Sequence, residues 1–215
     1  MRPTASAITA PCVVAIAIAA PHLGVPFFLY PFLGIGLCAV ALRLRGWNWL
    51  RIGWDRSTWR WSELCVGAAA GVAWGLANFA VIGPALSAAT GRLPDFSDFA
   101  FARQGLTGLG VAIAASILVG GMYEEMLFRG ALFHVLRWRR GRLPAVVAFV
   151  ATTAAFALYH AQLGLFGMAN ASLLCLPLGC LQWRYDGRAA SLVGFHACSD
   201  IVAFVLLYAG MMPGR

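Results

Sequence analysis

The sequence predicts an all-α, polytopic integral membrane protein: a helical bundle with about seven transmembrane helices, within a range of six to eight. Of its 215 residues, 61% are hydrophobic and only 11% are charged, whereas soluble domains carry about 25% charged residues. Apolar runs close to the roughly 20 residues that cross about 30 Å of hydrocarbon recur along the chain. The sixteen basic residues are all arginine and cluster between those runs. We therefore expect one transmembrane domain over residues 1–215.

Seven apolar runs follow one another, each bounded by charged residues, proline or glycine. They cover residues 4–20, 25–44, 62–86, 105–136, 144–162, 165–183 and 189–212. The first run ends in small residues and also resembles a signal peptide. Because Arg2 alone makes a weak basic start, we predict that this run is a retained helix. The first two runs then form an N-terminal helix pair at 4–44.

An Arg- and Trp-rich connector at 45–61 separates this pair from the other runs. Interleaved Trp and Arg occur in proteins that bind single-stranded nucleic acid, but they are also typical of a membrane interface. Since most other arginines also lie between apolar runs, we predict an interfacial connector and no nucleic-acid partner. With the N-terminus in the cytoplasm, twelve of the sixteen arginines fall on the cytoplasmic side, which follows the positive-inside rule.

Few charged residues remain well inside the apolar runs. They are Glu124, Glu125, Arg129 and Asp200, and His160 and His196 lie at similar depth. A charged side chain at the centre of a membrane helix costs about 2.5–3.5 kcal/mol on insertion scales. Such residues usually mark a functional site, so we expect this group to converge near the middle of the bilayer.

Helical spacing separates the roles of the two glutamates. Glu125 and Arg129 are four residues apart, so they share a face and can form an ion pair. Glu124 points about 100° away from that face in an α-helix, which leaves it as the free carboxylate. Gly120 and Gly121 lie one turn before it and give room for a neighbouring helix or a peptide.

A buried carboxylate beside two imidazoles has the chemistry needed to activate a water molecule. Glu124 is the candidate general base, and His160 and His196 are candidates to hold the water and stabilise an oxyanion. Asp200 lies four residues after His196 and is expected to orient its ring. A zinc site made by the glutamate and the two histidines is chemically allowed, although the spacing does not require one.

Three motifs in this order resemble those of the CAAX protease and bacteriocin-processing family, intramembrane proteases related to CAAX prenyl protease 2. "EEMLFR" (124–129), "FALYH" (156–160) and "HACSD" (196–200) look like EExxxR, FxxxH and HxxxN/D. Each motif alone is weak, but the set is specific. The resemblance covers about 45–210, with a family-like core expected at about 105–210.

The resemblance implies a glutamic-type endopeptidase in which Glu124, His160, His196 and Asp200 form the catalytic site, supported by the Glu125–Arg129 pair. Many members have Asn where this chain has Asp200, which favours orientation of His196 over direct contact with an oxyanion. The implied mechanism uses no cofactor, and zinc on Glu124, His160 and His196 is the alternative.

The same resemblance implies the setting of the reaction. The substrate would be a membrane protein or a lipidated or other membrane-associated peptide, with processing or sorting at its C-terminal end as one option. The chain would lie in a bacterial inner membrane with its N-terminus in the cytoplasm. The oligomeric state stays open.

Two other functions stay open at the level of sequence. A proton-coupled transporter also uses intramembrane Glu and His, although no internal repeat is visible. A non-catalytic bacteriocin-immunity or scaffold protein would keep the site as a relic, although the complete Glu/His/His set argues against this.

Overall fold

The computed structural model describes residues 5–137 and 141–212, and these residues form a bundle of helices without strands. Seven long helices run through the described ranges. They are α1 (Ala5–Ala19), α2 (Tyr30–Leu44), α3 (Trp61–Thr90), α4 (Gly105–Leu136), α5 (Arg142–Tyr159), α6 (Gly164–Arg184) and α7 (Ala189–Tyr208). Four arginines of the charge count, namely Arg2, Arg139, Arg140 and Arg215, lie outside the described residues, as does residue 4 of the first predicted run.

The prediction of a polytopic all-α membrane bundle is confirmed. Helices α3 to α7 are long and apolar enough to cross a membrane. Helices α1 and α2 have 15 residues each, which is about 22 Å at 1.5 Å per residue. Helix α2 begins at Tyr30, later than predicted, because a proline in its first turn sets the helical backbone there.

Helix α4 departs from regular α-helical geometry where the intramembrane charges lie. Residues Ser116–Glu124 and Met126–Leu132 are π-helical, with Glu125 between them. π-Helical segments are rare and often occur at functional sites. The wider turns change which side chains share a face, so an α-helical wheel does not describe this part of the chain.

Helices α3 and α7 pack backbone to backbone along a stripe of glycines, which we call the α3–α7 seam. Gly67, Gly71 and Gly75 face α7 at every fourth residue. A Cβ at Gly67 would collide with the carbonyl of Ser191, and one at Gly71 with the carbonyl of Phe195. Small residues at this spacing let membrane helices approach closely. The seam therefore fixes the position of α7 in the bundle.

The end of the bundle that carries connections 45–60 and 185–188 is closely packed; we call it the arginine-rich end. Ile52 and Trp54 are buried, with exposures of 3% and 8%. Arg188 Nη2 lies 2.7 Å from Glu63 Oε1, which ties the start of α7 to the start of α3. The predicted interfacial connector is thus part buried, although Trp61 at the start of α3 is 82% exposed.

Candidate active site

Helices α4 and α7 and the end of α5 bring one glutamate and two histidines together. Glu124 Oε2 lies 4.0 Å from His160 Nε2 and 3.8 Å from His196 Nε2. His160 directly follows the last residue of α5. The three residues that the sequence selected from separate motifs therefore converge, with both imidazole Nε2 atoms next to one carboxylate oxygen.

Each histidine ring is held through its other nitrogen. His160 Nδ1 lies 2.8 Å from the carbonyl oxygen of Phe156, and His196 Nδ1 lies 2.7 Å from Glu125 Oε1. A carbonyl or a carboxylate oxygen accepts hydrogen bonds, so both Nδ1 atoms donate. The Nε2 atoms are thereby aimed at Glu124, and in a neutral ring each would carry a lone pair.

Glu125 is completely buried and has two partners. Arg129 Nη1 lies 3.2 Å from the same Oε1 atom that binds His196, so the predicted ion pair is present. Arg129 Nη2 also donates to Cys175 Sγ at 2.9 Å, and its guanidinium lies 4.5 Å from the centroid of the Phe156 ring. Glu125 therefore links the ion pair to the ring of His196, a contact that the sequence analysis missed.

Asp200 lies near Nε2 of His196, whereas a group that orients the ring toward Glu124 would be expected at Nδ1. Its Oδ2 atom is 3.7 Å from His196 Nε2, beyond hydrogen-bond distance, while Nδ1 is bound to Glu125. A Cβ built on Gly120 would lie 2.5 Å from Asp200 Oδ2 and 3.6 Å from His196 Nε2. Gly120 therefore gives room to the Asp200 carboxylate, as well as to α7.

A cavity of about 770 Å³ opens from these residues. Nine aromatic side chains line it, and Glu124, His160, His196 and Asp200 contribute polar groups. The aromatic residues are Phe27, Tyr30, Phe96, Phe99, Phe101, Phe156, Tyr159, Phe166 and Phe204. Asn170 of α6 also lines the cavity, and its buried Oδ1 has no hydrogen-bond partner among the described residues. The site can thus receive a largely apolar ligand beside a few polar groups.

The site does not fit a zinc ion closely. Tetrahedral zinc with bonds of about 2.0–2.2 Å spaces its ligand atoms roughly 3.4 Å apart, whereas Glu124 Oε2 lies 3.8–4.0 Å from the two nitrogens. In residues 5–137 and 141–212, no three His, Cys, Asp or Glu side chains are grouped to hold a metal ion.

Comparison with known proteins gives one family. Residues 106–202 match the family described as type II CAAX prenyl endopeptidase Rce1-like, a range that contains all six site residues predicted from sequence. No significant match is found among curated proteins or among solved structures. The order of the motifs, the helical fold and this match agree, and residues 106–202 are similar to the CAAX prenyl endopeptidases of this family.

Proposed function

We propose that this chain is an intramembrane endopeptidase in which Glu124 activates the attacking water and His160 and His196 assist. One observation carries the proposal: two imidazole Nε2 atoms meet a single carboxylate oxygen at 3.8 and 4.0 Å. These distances are too long for direct hydrogen bonds. They suit one water molecule that lies about 2.8 Å from each atom of a pair.

The histidines differ in the partner of Nδ1, which assigns them different roles. His196 Nδ1 contacts the Glu125 carboxylate, and Asp200 lies near its Nε2. Both carboxylates favour a positive ring whose Nε2–H can donate to an oxyanion. His160 Nδ1 contacts only a neutral carbonyl. Its neutral Nε2 is suited to accept a hydrogen bond from the attacking water.

The reaction follows from these roles. Glu124 takes a proton from the water, and the water oxygen attacks the carbonyl carbon of the scissile peptide bond. The carbonyl oxygen becomes an oxyanion beside His196. Protonated Glu124 then gives its proton to the leaving nitrogen as the C–N bond breaks. Water has been added across the bond, and the Glu124 carboxylate is restored.

The mechanism requires no metal ion. The spacing of Glu124, His160 and His196 supports this part of the proposal, because it is wider than zinc ligands prefer. The check is metal analysis of purified, active protein together with activity after treatment with a chelator. Stoichiometric zinc, with loss of activity on its removal and recovery on its return, would overturn the metal-free mechanism.

The substrate is a membrane protein or a membrane-associated peptide, because the site lies among membrane-spanning helices next to an apolar cavity. We expect Glu124→Gln to lower cleavage about 10²–10⁴-fold, the usual contribution of a general base, without lowering the amount of folded protein. The measurement compares the termini of membrane proteins in cells that carry wild-type or variant protein.

Asp186→Asn is the matched control, because it makes the same carboxylate-to-amide change at an exposed residue of the α6–α7 connection. It should leave cleavage unchanged. If cells with Glu124→Gln process every protein that wild-type cells process, the endopeptidase proposal fails.

A further inference from the structure

The cavity reaches only one end of the bundle. Besides residues within the helices, its lining includes the α1–α2 connection at His22, residues 94–101 of the α3–α4 connection, and Gln162 after α5. No described residue of the connections 45–60 or 185–188 lines it. We call the end formed by the first three connections the open end.

The arginine-rich end is closed by packed side chains. A Cβ on Gly130 would lie 3.3 Å from the ring of Trp49 and 3.5 Å from that of Trp54. Connection 45–60 therefore packs directly against α4. The backbone N–H of Ala189 also donates to the carbonyl of Gly53 at 3.3 Å. A polypeptide can therefore approach Glu124 from the open end or through the helices beside it, and not through the arginine-rich end.

The distribution of arginines indicates which membrane face each end of the bundle occupies. Among the described connections and helix ends, nine arginines lie at the arginine-rich end: Arg43, Arg45, Arg51, Arg56, Arg60, Arg137, Arg142, Arg184 and Arg188. Arg92 and Arg103 lie at the open end. Cytoplasmic connections carry the excess of basic residues in membrane proteins. The arginine-rich end is therefore cytoplasmic, and the cavity opens to the opposite face.

The cavity is lined by acidic residues, although the chain as a whole is basic. The chain has a net charge of +8, with eight acidic residues. Four of the eight, namely Asp95, Asp98, Glu124 and Asp200, line the cavity, whereas none of the arginines in the described part of the chain does. The ring of His196, proposed to be positive, lies between Glu124 and Asp200, so acidic groups still outnumber it. Clefts with an excess of one sign of charge attract the other sign. The complementary ligand has an apolar segment with basic residues beside it.

From this geometry we infer that the substrate is a membrane-anchored polypeptide cleaved at the non-cytoplasmic face, with basic residues next to the apolar segment that enters the cavity. The inference rests on the proposed endopeptidase function and adds the face and the charge of the substrate. The aromatic walls hold the apolar segment, and Asp98, exposed near the open end, attracts the basic residues.

The orientation is tested by single cysteines placed at the two ends. Asp98→Cys should react with a membrane-impermeant maleimide in intact cells, and Asp186→Cys should react only after the membrane is opened. The chain without an added cysteine gives the background from the native thiols. The reverse pattern of labelling would overturn the assignment of the open end to the non-cytoplasmic face.

The substrate class is tested by the sites that wild-type protein cleaves and Glu124→Gln protein does not. We expect these sites at the non-cytoplasmic face, with Lys or Arg near the cut. Cleavage at cytoplasmic sites, or beside acidic residues, would overturn this inference while the endopeptidase proposal stands. An absence of any difference between the two strains would overturn the endopeptidase proposal instead.

The charge preference is tested with a matched pair of variants. Asp98→Asn should lower cleavage of a substrate with basic flanking residues about two- to five-fold, the range of a single exposed charge pair. The loss should shrink at high salt because exposed charges are screened. Asp186→Asn makes the same change at the opposite end and should have no effect. Equal effects of the two variants would contradict a role for the charge near the open end.

Discussion

On one side of α7, the carbonyls of Ser191 and Phe195 lie directly against glycines of α3. On the other side, His196 and Asp200 border a cavity of about 770 Å³. The seam leaves no space for a methyl group, whereas the cavity lies between helices and is lined by several large aromatic side chains. The site proposed to admit a polypeptide thus borders a helix whose opposite side is packed too closely for a further methyl group.

The two adjacent glutamates differ in the same way: one lies in closely packed contacts and the other borders the cavity. Glu125 is completely buried in contacts with Arg129 and His196. Glu124 is 9% exposed and borders the cavity, with its nearest ion-pair partners at 3.8 and 4.0 Å. The two side chains are chemically identical, so their surroundings alone distinguish the supporting carboxylate of Glu125 from the carboxylate of Glu124, which is proposed to react.

The largest expected effect on stability is that of Glu125→Ala. This change leaves Arg129 buried without its carboxylate and removes the partner of His196 Nδ1. Loss of one member of a buried ion pair costs about 3–5 kcal/mol. We expect reduced abundance and a lower free energy of unfolding in detergent, together with loss of cleavage.

Glu124→Ala is the neighbouring control for that experiment. It removes a carboxylate that makes no hydrogen bond within the described residues, so unfolding should change by less than about 1 kcal/mol while cleavage is lost. Equal loss of stability in the two variants would contradict the division between a supporting and a reacting glutamate.

A smaller effect is expected when the same substitution is made on the two sides of α7. Gly71→Ala places a methyl group against the backbone carbonyl of Phe195, which cannot move without separating α3 from α7. Overpacking of this kind costs about 1–3 kcal/mol. Gly120→Ala meets the Asp200 carboxylate, the end of a side chain that can rotate away.

Gly120→Ala should therefore keep its stability but lower cleavage, because its methyl group would lie 3.6 Å from His196 Nε2. Gly71→Ala should lose stability first. Thermal unfolding in detergent and cleavage in cells separate the two outcomes. If Gly120→Ala were the less stable of the two, the cavity side would not be the more adaptable one.

Much of the fold could be predicted because it follows from composition. The seven apolar runs correspond to the seven long helices of the described chain, and α4 has the predicted bounds, Gly105–Leu136. The α3–α7 seam was missed, although its signal was present. Gly67, Gly71 and Gly75 stand at every fourth position of α3, a spacing that indicates close helix packing.

The residues of the candidate site were selected from the sequence as a set, and Glu124, His160 and His196 lie close together, but the contacts among the candidate residues could be predicted only in part. Spacing within one helix indicated the Glu125–Arg129 pair. It could not indicate that Glu125 also binds His196, because the π-helical turns of α4 and the docking of α7 set that contact. Because contacts between helices could not be read from spacing, the sequence indicated the neighbour within the same helix, Asp200, as the group that orients His196.

The smallest expected effect is that of Asp200→Asn, the residue implied at this position by the family resemblance. Because Glu125 already holds Nδ1 of His196, we expect cleavage within about three-fold of wild type, or less than about 0.7 kcal/mol, and unchanged stability. Asp200→Ala removes the polar group beside Nε2 and should lower cleavage more. A loss of 100-fold or more in Asp200→Asn would show that the charge of Asp200 is itself required. The function of the His196 ring would then depend on Asp200, on the cavity side, as much as on Glu125, on the packed side.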